Sequence, residues 1–457
     1  MDNLYAKYIA PKGWKPLNPD EDYIITYLKI ELSEEAQGKF EEAVAGCCAE
    51  SSTGTWTQVY DGDGSGVPMA DKMRAIAFDL EPEENRFKVA YRVDLFEIDN
   101  MSGLLAGIVG NIGGMKMLKA LRCLDIRFPR KMVLAFPGPR FGIEGIREQM
   151  QLERGPLLLT VPKPKVGRTA DEQADLARIL FTAADGNYHG IKDDENLTNL
   201  FFNKFDERCK KVLAVQKEVE ERTGKKKFYL SNVTHSRMDV MLQRANLIKE
   251  NGGRWMMMDV ATTGFAAVHT MRLINPGLAI HAHRAMHSFL TREEGDGADG
   301  DGQILDFSMS MVAFAKIMRL LGVDSFHGGA PKTKMENGNA HASIIIRDVL
   351  ELDETPAVTG TLGQKWYGLK PVWHVASGGL HPGSVPDVLK NLGENIMLQC
   401  GGGCLGHPDG IEAGVEAIVK ATELTLDGID VEKWVVDNPN TPLGRAAQFW
   451  GFGPKIV

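Results

Sequence analysis

Six cysteines in 457 residues, at 47, 48, 123, 209, 400 and 404, form no CxxC pair. That argues against a zinc site, and the adjacency of Cys47 and Cys48 argues against a disulfide framework, so reduced and mostly buried thiols are expected. Basic charge is also short: 52 Lys and Arg stand against 61 Asp and Glu, a formal net charge of −9. A nucleic-acid partner, whose phosphates favour a basic face, is therefore not expected, and any phosphate binding has to be local. Long apolar runs are missing too. No stretch reaches the roughly 18 residues of a membrane span, and the most lipid-like one, 101–115, is broken by Gly103, Gly107, Gly110, Asn111, Gly113 and Gly114. The first residues, Met-Asp-Asn-Leu-Tyr-Ala-Lys, have neither a basic nor an apolar leader region, so a cytoplasmic protein is expected.

What is present is ordinary globular composition, 43% hydrophobic and 25% charged. The length is too great for one compact domain and suits a barrel of about 250 to 320 residues with a smaller partner. In the first part, residues 22–31, 55–60 and 87–93 read as strands. Ser33 offers an N-cap, with Glu34 and Glu35 in the first turn of a helix to about 48, and a second helix is expected over 101–114. These elements make an N-terminal α+β (ferredoxin-like) domain, 1–136. Asp61-Gly-Asp-Gly-Ser-Gly superficially resembles a calcium loop, but Lys72 stands where the bidentate Glu is needed, and a plain turn is expected. Glu50-Ser-Ser-Thr-Gly-Thr55-Trp56 reads as either a helix stop or a phosphate lip.

From Pro137 the texture becomes a repeated alternation of short strand and amphipathic helix. Eight apolar runs follow one another: 157–162, 188–192, 228–233, 255–261, 278–283, 325–329, 371–376 and 395–400. Helical segments at 170–183, 198–221, 235–250, 306–321 and 410–426 lie between or after them. Eight βα units in series signify an α/β fold with a closed (β/α)8 TIM barrel, 137–457, whose active site sits at the carboxyl ends of its strands.

Those ends carry an unusual collection. Lys163 and Lys165 follow the first run, Lys192, Asp194 and Glu195 the second, Asn232 the third and Asp259 the fourth. His281, His283 and Arg284 mark the fifth, His327 the sixth, Ser377-Gly378-Gly379 the seventh and Gly401-Gly402-Gly403 the eighth. Taken singly, a charge run after a strand is a solvated turn, a lone histidine is a core or turn residue, and glycines make tight turns. Their shared face is what suggests chemistry. Glycine turns after the last two strands are where such barrels build a phosphate site, since bare backbone N–H groups approach an anion closely. Arg284, His327 and Ser377 could hold a second phosphate, which suggests a substrate phosphorylated at both ends.

Between these lie two carboxylates, hard oxygen ligands suited to Mg²⁺, and a lysine. A protonated lysine would repel the ion, and neutralising it costs roughly 3 kcal/mol at pH 8, with neighbouring carboxylates expected to raise that cost. If the neutral amine captures CO₂, however, it becomes a carbamate, an anionic oxygen ligand.

The strings Lys163-Pro-Lys165-Val-Gly, Gly190-Ile-Lys192-Asp-Asp194-Glu195-Asn196, His281-Ala-His283-Arg284-Ala-Met-His287, Ser377-Gly378-Gly379 and Gly401-Gly-Gly-Cys-Leu-Gly-His-Pro-Asp409, with Glu50–Trp56 and Gly110-Asn111, together resemble the large subunit of ribulose-1,5-bisphosphate carboxylase/oxygenase (RuBisCO). The resemblance runs from about residue 20 to about 430 and is nearest to form II/III-like archaeal and bacterial types without small subunits. Val161, where plant types have Thr, and the lid sequence around Lys332 and Lys334 depart from the plant pattern.

The resemblance implies a carbon–carbon lyase acting on ribulose 1,5-bisphosphate with CO₂ or O₂. It implies carbamylated Lys192 binding Mg²⁺ with Asp194 and Glu195, Lys163 as general acid/base with Lys165 nearby, and His283 as a further proton acceptor. Lys334 would close over the site from the 328–338 loop. Thr55, Trp56, Gly379, Gly401 and Gly402 would hold one phosphate, and Arg284, His327 and Ser377 the other. Glu50, Thr55 and Asn111 would come from a second subunit, so at least a homodimer is expected. The alternative from the same resemblance is a RuBisCO-like enolase or isomerase of sulfur salvage.

Overall fold

A strand covered by helices on one face and by other strands' side chains on the other can be apolar throughout, and the eight runs after residue 150 are of that kind. In the computed structural model they close into one parallel barrel in the order 325–327, 373–377, 396–399, 157–160, 190–192, 228–232, 255–259 and 279–283. The structure describes residues 3–57, 67–292, 307–331 and 340–453. Among them, no helix is long and apolar enough to cross a membrane.

The barrel belongs to a unit of residues 138–286, 321–351 and 370–457. Its interior is filled by Leu157, Leu159, Phe228, Leu230, Trp255, Met257, Trp373 and Met397, with Ile143, Ile146 and Met150 of the helix Gly142–Met150 packed into the same cluster. Gly190 makes room for that filling, because a Cβ there would lie 2.3 Å from the Phe228 ring. The helix Ala170–Thr182 starts at a capping box in which Thr169 and Glu172 satisfy each other's backbone N–H groups, worth about 1 kcal/mol. Two expected helices begin later than their apolar pattern suggested, at Phe205 instead of 198 and at Met238 instead of 235. The carbonyls of Leu197 and Thr198 are taken by the Arg208 guanidinium, and those of Val233 and Thr234 by Arg244, so these residues form loops.

The barrel end away from the strand carboxyl termini holds a buried amine. Lys227 donates to the carbonyls of Gly186 and Tyr188, and burial pulls its pKa down to about 7. Since the unfolded chain still holds this proton up to about 10.4, it binds more protons than the native state between those values, and stability rises with pH there. Lys227→Met should remove that slope, roughly 1 kcal/mol per pH unit between pH 7 and 10. Urea midpoints of both proteins across that range check it, and parallel curves would contradict it.

The second unit, residues 1–137, 287–320 and 352–369, is built on a five-stranded sheet. Its order is Ser308–Met309, Leu118–Arg127, Tyr23–Leu32, Arg86–Arg92, Ile76–Glu81, antiparallel except for the two-residue first strand. The strands near 22–31 and 87–93 were expected; Ile76–Glu81 and Leu118–Arg127 were not. Leu118–Arg127 contains buried Arg122 and Asp125, which break the apolar pattern. Both find partners about 170 to 240 positions away: the Arg122 terminal nitrogens donate to Ser308 Oγ and the Thr291 carbonyl, and Asp125 accepts from Lys316 Nζ at 2.7 Å and the Leu362 N–H at 2.7 Å.

Other expectations for this unit need correction. Thr55–Thr57 form no strand, and the remainder of the expected strand 55–60 lies outside the described residues, as does Asp61–Gly66. The helix from Ser33 is a 3-10 turn, Glu34–Ala36, then an α-helix Phe40–Glu50; Gly38, at φ 77°, separates them and Ser33 makes no cap. Residues 101–114 divide into an α-turn Met101–Leu105, a π-turn Ala106–Gly110 and a 3-10 turn Ile112–Gly114, as their glycines favour. The helix expected from 306 begins at Met311.

Candidate active site

Alternation along an extended chain sends successive side chains to opposite faces, and this decides the roles of Lys192, Asp193 and Asp194. Asp193 turns into the layer behind the strand and is fully buried. There it accepts from Arg208 Nε at 3.2 Å and Nη2 at 3.1 Å, from the Tyr229 hydroxyl at 2.6 Å and from the Asn232 N–H at 3.0 Å. Asp194 Oδ2 instead lies 3.2 Å from Lys163 Nζ, and Glu195 Oε1 lies 3.1 Å from Lys165 Nζ. Asn232 Nδ2 braces the turn through the Asp194 and Glu195 carbonyls. Removing one partner of a buried ion pair costs about 3–5 kcal/mol, so Arg208→Met should destabilise the protein by about that amount and lower catalysis by loosening the Lys192 turn. Denaturant unfolding with activity assays checks this, and an unchanged unfolding midpoint would contradict it.

Lys192 ends the second strand and is 1% exposed, with Nζ donating to the Asp193 carbonyl at 2.7 Å. Burial holds its ammonium below the usual lysine range, against the opposing pull of Glu195, Asp259, Asp194 and Asp193. The sequence suggested the reverse, that neighbouring carboxylates would keep this amine charged; desolvation outweighs them. For Asp194, burial raises the pKa, but hydrogen bonds from Asn196 and the charges of Lys163 and Lys192 bring it below the usual carboxylate range.

The fifth strand ends at His283, whose Nδ1 lies 2.7 Å from Asp259 Oδ1. The carboxylate accepts, so Nδ1 carries the hydrogen and Nε2, 3.8 Å from Glu195 Oε2, is the bare nitrogen. Burial first, then Lys192, lowers the His283 pKa, keeping the ring neutral and able to take a proton. Asp259 is itself held by Thr234 Oγ1 at 3.2 Å. Its position at a strand end was visible in the sequence, but its service to His283 was not.

His327 ends the sixth strand and Ser377 the seventh, with His327 Nδ1 2.9 Å from Ser377 Oγ. Arg284 is buried beside this strand end. Gly378 and Gly379 follow with φ of 108° and 83°, a conformation that side chains resist. At the eighth strand's end, a Cβ on Gly401 would sit 3.2 Å from Val161 Cγ1 and 3.5 Å from Lys163 Cε, and Gly402 faces open space. Lys163, Lys165, Lys192, Asp194, Glu195, His283, Arg284, His327, Ser377, Gly378, Gly379, Gly401 and Gly402 thus share one rim of the barrel.

Four expected residues lie in the other unit. Glu50, last in its helix, accepts from Asn111 Nδ2 at 2.6 Å. The serines after it bond back to the Cys47 and Cys48 carbonyls and stop the helix. Thr55 and Trp56 follow, Trp56 being 82% exposed. Lys334, with Lys332, falls outside the described residues.

Acids, lysines and histidines converging on the carboxyl-end rim of a closed eight-stranded parallel barrel define a (β/α)8-barrel enzyme. The profile of the ribulose bisphosphate carboxylase large chain, catalytic domain, matches residues 142–450, and that of its N-terminal domain matches 15–132. A ribulose bisphosphate carboxylase of Methanocaldococcus jannaschii is 41% identical over 410 residues, covering 88% of this chain and 92% of that protein. Another from Pyrococcus furiosus is 39% identical over 417 residues, covering 90% and 91%. Among solved structures, a dimeric archaeal Rubisco from Hyperthermus butylicus superposes with TM-score 0.86 at 33% identity, covering 98% of this chain and 100% of that one. The octameric Rubisco of Pyrococcus horikoshii gives 0.85 at 35% identity, covering 99% and 98%. The chain belongs to the ribulose bisphosphate carboxylase large chain family.

Proposed function

We propose that this protein is a ribulose-1,5-bisphosphate carboxylase/oxygenase, which enolises ribulose 1,5-bisphosphate, adds CO₂ or O₂, and, after CO₂ addition, cleaves the product to 3-phosphoglycerate. The observation that carries the reading is the desolvated Lys192 amine beside two carboxylates that rest on lysine ammonium groups. Among the described residues no three His, Cys, Asp or Glu side chains are grouped to hold a metal unaided. Asp194 and Glu195 supply two hard oxygens, and a neutral, buried lysine is the form that captures CO₂, so a carbamate on Lys192 completes a donor set suited to Mg²⁺. When bound, Mg²⁺ supplies a Lewis acid that stabilises the enediolate oxygens.

The chain's own groups do the rest. Lys163, 3.2 Å from Asp194, moves protons as general acid/base, with Lys165 as a neighbouring cation. His283 accepts on Nε2, its other nitrogen committed to Asp259. Arg284, His327 and Ser377, with Gly378, hold one phosphate; Gly379, Gly401 and Gly402, with Thr55 and Trp56, hold the other. Lys334, which lies outside the described residues, is assigned the stabilisation of the new carboxylate that the family resemblance implies. The active unit is a dimer, or an oligomer of dimers without small subunits, in the cytoplasm, and Glu50, Thr55 and Asn111 of one subunit complete the site of its mate.

Incubation with labelled CO₂, Mg²⁺ and ribulose 1,5-bisphosphate should yield labelled 3-phosphoglycerate, and removing Mg²⁺ with EDTA should stop it. No labelled product under saturating conditions would sink the proposal.

A further inference from the structure

Four side chains beside the proposed metal ligands form one hydrogen-bonded row across three adjacent barrel strands. Ser325 Oγ lies 2.8 Å from His281 Nδ1, and His281 Nε2 lies 3.1 Å from His327 Nε2. His327 Nδ1 in turn lies 2.9 Å from Ser377 Oγ. Strand register creates the row, since Ser325 is paired directly with His281. His281, Ser325 and His327 are buried, and the two rings meet edge-on with centroids 4.9 Å apart.

A neutral imidazole has one N–H and one bare nitrogen. Burial above all keeps both rings well below the ordinary histidine range, so one proton lies between the two Nε2 atoms. Two arrangements then satisfy the row. In the first, Ser325 donates to His281 Nδ1, His281 Nε2–H donates to His327 Nε2, and His327 Nδ1–H donates to Ser377 Oγ, which directs its own proton to the rim. In the second every donor reverses, and the Ser377 proton is used on His327.

We propose that the row is a tautomer relay, in which Ser325 and His281 are positioning residues that hold His327 as its Nδ1–H form and so turn the Ser377 hydroxyl proton toward an anionic oxygen of the bound bisphosphate. The inference rests on reading this strand end as a phosphate subsite, with Ser377 as the donor and His327, both ring nitrogens committed to His281 and Ser377, acting on the phosphate through it. An anionic oxygen can only accept, so it selects the first arrangement; the second would set a hydroxyl lone pair against it. Ser325 therefore acts on the substrate through two rings and one hydroxyl without touching it.

The test joins ¹⁵N NMR of histidine-labelled Mg²⁺ enzyme, saturated with inorganic phosphate, to kinetics of Ser325→Ala, Ser325→Thr and Ser377→Ala. Expected are bare Nε2 and protonated Nδ1 on His327, with the opposite tautomer on His281. Losing a neutral hydrogen bond that orients a binding group should raise the Ser325→Ala KM for ribulose bisphosphate about tenfold and leave kcat within about twofold. Ser325→Thr, which keeps the hydroxyl, should restore KM. A His327 protonated on Nε2 in the wild-type enzyme, or a wild-type KM in Ser325→Ala beside a raised KM in Ser377→Ala, would overturn the relay alone. An unchanged KM in Ser377→Ala would remove the phosphate subsite beneath it.

Discussion

Lys192→Ala should lower carboxylation by at least about 10³-fold, the scale on which a buried electrostatic stabiliser of transition-state charge is lost. The variant should stay folded. Lys192 makes one described hydrogen bond, to the carbonyl beside it, and deleting it exchanges the cost of a small cavity for relief of a desolvated polar group. Neither Asp194 nor Glu195 can replace it, since each is a single carboxylate and the third anionic oxygen would be missing. The checks are steady-state carboxylation and the ¹³C signal of a carbamate after incubation with labelled CO₂ and Mg²⁺. Undiminished carboxylation in this variant would remove the carbamate from the mechanism.

The second large effect comes from mixing two dead proteins. Glu50→Gln and Lys192→Ala homodimers should each be inactive, because every site lacks one necessary group. Random heterodimers should regain one working site, in which native Lys192 of one subunit meets native Glu50 of the other. With two-fold symmetry one of the two sites in each mixed dimer works, giving about half of wild-type activity in the purified mixed species and about a quarter in an unfractionated random mixture. The Glu50–Asn111 hydrogen bond argues for a shaped carboxylate there, and Gln keeps the shape while losing the charge. Co-expression with differently tagged chains, followed by purification of the mixed species, provides the measurement. Activity no higher in mixed dimers than in the parents would count against a shared site.

How much of this was legible depended on whether a residue's partners are local. The eight barrel strands stood out because each is an apolar run buried on both faces, with helix punctuation between. Leu118–Arg127 did not, since Arg122 and Asp125 read as surface residues until Ser308, Lys316 and Leu362 arrive from far along the chain to pair with them. Residue types at the strand ends pointed to anion and metal chemistry, but spacing alone could not separate Asp193 from Asp194. That distinction needs Arg208 and Tyr229 behind the strand. Likewise the sign of the Lys192 shift depends on depth, and a list of neighbouring charges gives it backwards. Where the amino-terminal helices differ from expectation, Gly38 and the glycines of 101–114 interrupt what reads as helix continuity.

The alternation of Lys192, Asp193 and Asp194 also bears on how this stretch can change over generations. Most segments that leave a barrel strand shrink or grow freely, but loss of one codon between Gly190 and Asp194 would invert the sidedness of everything after it. The carboxylate gripped by Arg208 would swing outward and its neighbour would be dragged into the interior. Substitutions can be sampled here one at a time; insertions and deletions cannot.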